Sequence, residues 1–83
     1  MTSLSPSPQT LAQAIEALAA EQERLTRRIE QGADDADDLA DEVLDLQKAI
    51  SELGGLYTSQ RATNQAYPPL DTLLAQGRAR GQR

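Results

Sequence analysis

Leu39-Ala40-Asp41-Glu42-Val43-Leu44-Asp45-Leu46-Gln47-Lys48-Ala49-Ile50-Ser51-Glu52-Leu53-Gly54-Gly55-Leu56-Tyr57 is the stretch that decides the fold. Within it Leu39, Val43, Leu46, Ile50, Leu53 and Tyr57 recur at spacings of 4, 3, 4, 3 and 4, which places all six on one stripe of an α-helix. The same rhythm runs through Leu11, Ile15, Leu18, Gln22, Leu25 and Ile29 earlier in the chain. Residues between the positions of this earlier stripe are mostly Ala, Glu, Gln and Arg, all good helix formers, so propensity and pattern agree there. Two matched stripes joined by a short turn predict an all-α fold, an antiparallel helical hairpin packed in coiled-coil fashion.

Signals at the ends place the helices near residues 9–31 and 35–53 or beyond. Ser7 followed by Pro8 is a start signal, with a second capping pair at Thr10 and Gln13. Gly32, just after Arg27, Arg28 and Gln31, suits a left-handed stop, and the arginines face the negative end of the helix dipole. Asp34, Asp35, Asp37 and Asp38 would open the second helix, their carboxylates near free backbone N–H groups. Gly54-Gly55 predicts a bend or an end there, because each glycine costs about 0.8–1.0 kcal/mol relative to Ala inside a helix. Pro68-Pro69 forbids helix at Tyr67, and a short third helix carrying Leu70, Leu73 and Leu74 follows, with Gly77 as its stop. The organisation expected is a flexible arm over 1–8, the hairpin over 9–66, a Pro-Pro linker and short helix over 67–77, and a basic disordered tail over 78–83.

Composition narrows the function classes. At 83 residues the chain is at most one small domain, and with no Phe and no Trp its core rests on Leu, Ile, Val and Ala. The absence of His and Cys removes the usual general base, the usual zinc ligands and the most reactive nucleophile, so no catalytic, cofactor-binding or metal-binding residue is assigned and no enzyme is expected. No disulfide is possible, no basic-then-apolar leader opens the chain, and no run of about 18 apolar residues occurs, which together point to the cytoplasm and away from the membrane. Net charge is −5, with eight acids and one base between residues 32 and 56 and one acid and four bases from 57 onward. That acidic middle argues against nucleic-acid binding, which needs a basic surface. Its carboxylates read first as helix-start stabilisation on a solvated face. The alternative reading is a mimic of nucleic-acid phosphates.

Off-stripe leucines point to a partner. Leu44 and Leu56 widen the apolar face of the second helix beyond what one facing helix covers, and Leu4, Leu70, Leu73 and Leu74 add to the surplus. Either a docked third helix or a helical client subunit on Leu44, Ile50, Leu53, Leu56 and Tyr57 would cover it, and a homo-oligomer is a further option.

The run Arg27-Arg28-Ile29-Glu30-Gln31-Gly32, then Leu39, Ala49-Ile50, Leu53 and Leu56-Tyr57, resembles the small helical-hairpin proteins of bacterial type III secretion, specifically the co-chaperones that hold needle subunits. Needle and inner-rod subunits are similar in length, in Leu46 to Tyr57 and in Leu70-Asp71-Thr72-Leu73-Leu74, but they differ in two ways. The interhelix turn here lacks their proline-containing motif, and Pro68-Pro69 breaks the long C-terminal helix that their polymerisation requires. The resemblance implies a co-chaperone or assembly factor that shields a hydrophobic helix of a client. The competing expectations are an acidic, phage-type inhibitor filling a basic nucleic-acid-binding groove, and a self-associating structural bundle.

Overall fold

A computed structural model describes residues 7–63 and 66–82 of the chain. Three helices are present among them: α1 (Pro8–Glu30), α2 (Ala36–Arg61) and α3 (Leu70–Gly81). The first two form the expected hairpin. α3 lies along the other side of α1, so α1 sits between two neighbours that meet each other only where the chain passes from α2 into α3. The molecule is elongated, about 48 × 25 × 15 Å, with a radius of gyration of 14.3 Å. Most of the expected arm, Leu4 included, falls outside the described residues, as does Arg83.

α1 starts and stops as its sequence dictates. Ser7 is the N-cap, its Oγ accepting from the Thr10 N–H at 3.2 Å, and Pro8 fills the first turn where a missing N–H costs nothing. Thr10 lies inside the helix and is not a second cap. At the other end Gly32 adopts φ +83°, the left-handed conformation that favours glycine. Its N–H donates to the Ile29 carbonyl at 3.0 Å and the Ala33 N–H to the Arg28 carbonyl at 3.2 Å, the paired closure of a Schellman stop.

α2 departs from expectation at its start. Its N-cap, Asp35, makes no side-chain cap bond. At φ −98° and ψ 31° Asp35 lacks the extended geometry that aims a capping carboxylate, and it meets Arg28 at 3.8 Å instead. Asp37 and Asp38 occupy the first turn, where the helix dipole favours negative charge. The helix also runs unbroken through Gly54-Gly55 to Arg61. Gly54 is buried under α3, and a methyl group there would lie 3.0 Å from Leu70 Cδ2.

α3 extends past Gly77, which does not stop it. Gly77 and Gly81 both face α1, and residues 78–81, expected in a disordered tail, are helical. The two helices run parallel. Leu73 packs with Leu11 and Ile15, Gly77 lies against Glu16 and Ala19, and Gly81 lies against Ala20 and Glu23. At the far end Arg27 Nη1 donates to the Gln82 carbonyl at 2.7 Å and Gln82 Nε2 donates to Glu23 Oε1 at 3.0 Å.

The apolar centre is Leu11, Ile15, Tyr57 and Leu73, surrounded by Ala12, Leu53, Tyr67, Leu70 and Leu74. Every helix contributes. Each fully buried Leu or Ile is worth roughly 1.5–3 kcal/mol, so a core this small leaves modest stability. Along the rest of the hairpin, Leu25, Leu39 and Ile50 are buried between α1 and α2. Gln22, the polar member of the first stripe, donates from Nε2 to Gln47 Oε1 at 2.9 Å across the seam, a bond that specifies one register.

Candidate functional site

The five residues expected to bind a partner do not share a surface. Ile50 and Tyr57 are buried inside the protein, at 5% and 0% exposure. Leu53 is half-buried against the apolar centre. Leu44 and Leu56 remain exposed, at 64% and 51%. The first three are inside because α1 covers the stripe along its length and α3 brings Leu70, Leu73 and Leu74 over its far end. Of the two covers expected for the surplus apolar surface, a docked third helix or a client, the third helix takes the part around Leu53 and Tyr57 and leaves Leu44 and Leu56 exposed.

Leu44 and Leu56 are twelve residues apart, hence about 18 Å along α2 and about 120° around it. Asp41, Lys48, Glu52, Gly55 and Ser59 fill the outer face between them, and all five are exposed. That face combines two separate apolar anchors with two acids, Asp41 and Glu52, one base, Lys48, and two uncharged residues. Asp34, Asp37, Asp38, Glu42 and Asp45 are exposed beside it. Asp35 pairs with Arg28 where both side chains are at least half exposed, and such pairs contribute little. Among the described residues no group of acidic side chains is arranged to hold a metal ion, and no cavity is present. No helix among them is long and apolar enough to cross a membrane.

The most built-up polar arrangement surrounds Tyr57. Its hydroxyl donates to the Pro68 carbonyl, and one turn on Arg61 Nε donates to the Tyr67 carbonyl at 2.8 Å. Burial raises the Tyr57 phenol above its ordinary value of 10.0; the Arg61 charge opposes that, while Tyr67 and Glu16 add to it. Two α2 side chains thus fix two consecutive carbonyls of the segment that leads into α3.

Sequence reasoning assigned Gly77 to a helix stop and missed the close seam between α1 and α3. A methyl group at position 77 would sit 2.6 Å from the Glu16 carbonyl oxygen and 2.7 Å from Ala19 Cβ. One at position 81 would overlap the Ala20 carbonyl oxygen and lie 2.9 Å from Glu23 Cβ. The available signal was the four-residue spacing of the glycines, which puts both on one helix face, opposite the small pair Ala19-Ala20. No protein-family model, curated protein or solved structure matches the chain.

Proposed function

We propose that this chain is a non-enzymatic protein-interaction module that works in the cytoplasm and docks a helical client on the outer face of α2. The observation that carries this reading is the exposure of Leu44 and Leu56, two large apolar side chains on a helix whose inner stripe is already satisfied. Exposed leucines taken singly are ordinary. What favours a partner here is that they flank one continuous outer face, in a chain without His or Cys. The resemblance of Arg27 to Gly32 and of Leu39 to Tyr57 to the needle co-chaperones supplies the class: an assembly factor of type III secretion that shields an apolar helix.

The test is co-expression with a needle-type helical subunit that aggregates alone. Wild-type protein should keep the subunit soluble. Leu56→Asp and Leu44→Asp should not, while their circular dichroism stays that of the parent, because both side chains lie outside the core. Retention of the client by both variants refutes the reading.

The acidic inhibitor is the second reading, favoured by the exposed carboxylates from Asp34 to Asp45. Salt separates the two. Apolar docking persists at high ionic strength, whereas a charge-dominated contact weakens as the screening length shortens.

A further inference from the structure

We draw no further inference here: the strongest candidate, the outer face of α2 with Leu44, Leu56 and the exposed acids beside them, belongs to the surface already proposed for docking, and nothing in the structure shows what covers it.

Discussion

α1 meets its two neighbours by opposite chemistries. Toward α2 it presents Leu11, Ile15, Leu18, Leu25 and Ile29, and the helices are held apart by interleaved side chains with Gln22 and Gln47 setting the register. Toward α3 it presents Leu11 and Ile15 only at the start, against Leu73, and beyond them Ala19, Ala20 and bare backbone, where the helices close until glycine is the only residue that fits. The first seam gains stability from what its side chains fill. The second depends on what its side chains leave out. A side-chain seam yields gradually when one member is trimmed, because neighbours relax into part of the space. A backbone seam fails abruptly when anything is added, because main-chain atoms cannot step aside.

The largest expected effect comes at the residue shared by both seams. Ile15 is fully buried and lies in the cluster that joins all three helices. Ile15→Asp should cost more than about 4 kcal/mol and unfold the protein, read as loss of helical circular dichroism at 25 °C. If α2 and α3 stayed folded, the view of α1 as the common support would break.

Next is Gly77→Ala. Helix propensity alone predicts a gain of about 1 kcal/mol, yet the clash with Glu16 and Ala19 should reverse the sign and give a net loss of about 1–3 kcal/mol in denaturant unfolding. A gain would mean that the second seam is looser than its geometry says.

Tyr57→Phe removes the donor to Pro68 and should cost about 0.5–1.5 kcal/mol at neutral pH. It should also change the alkaline limb. The folded phenol titrates above its ordinary value of 10.0, so the unfolded chain loses its proton first and wild-type stability falls as pH rises above that value. The contribution is fully present at lower pH. In Tyr57→Phe that part of the decline should disappear from a series of urea melts at increasing pH.

The smallest effect has the opposite sign. Gly55 is exposed, and nothing lies within 4 Å of a methyl group built on it, so Gly55→Ala should stabilise α2 by about 0.8–1.0 kcal/mol. One substitution type, at two glycines inside helices of one protein, should therefore raise the melting temperature at 55 and lower it at 77.

The first seam was legible because its code is periodic. Spacings of 4 and 3 survive translation into a stripe whatever the neighbouring helix is, and Ser7, Pro8 and Gly32 mark its ends by local rules that need no tertiary partner. The second seam was hidden because glycine carries no side chain whose period could be read. At Gly77 the helix-stop reading competes with the close-approach reading, and only the position of α1 decides between them. At Gly54 the sequence left both an end and a continuing helix open for the same reason: its space is taken by Leu70, sixteen residues later. The surface proposed for docking was half legible. Leu44 and Leu56 are exposed as their off-stripe positions require, whereas Leu53 and Tyr57 lie on the internal stripe, and whether the third helix docks over them depends on tertiary packing that local pattern does not carry. Asp35 failed as a cap because capping depends on φ and ψ at one residue, which composition does not reveal.

The bond from Arg27 to the Gln82 carbonyl closes a loop of 55 residues, and that from Gln82 to Glu23 closes one of 59. Loop closure of that length must be met before any contact rewards it, whereas the turn at Gly32 brings α1 and α2 together through a few residues. Refolding should therefore run in a fixed order, hairpin first and α3 last. Changes in the glycine seam should then leave the folding rate nearly untouched and appear in the unfolding limb of the chevron, while Ile15→Val should slow refolding. The lifetime of the complete protein would thus be set at its C-terminal end, by the part of the chain that contributes least to starting the fold.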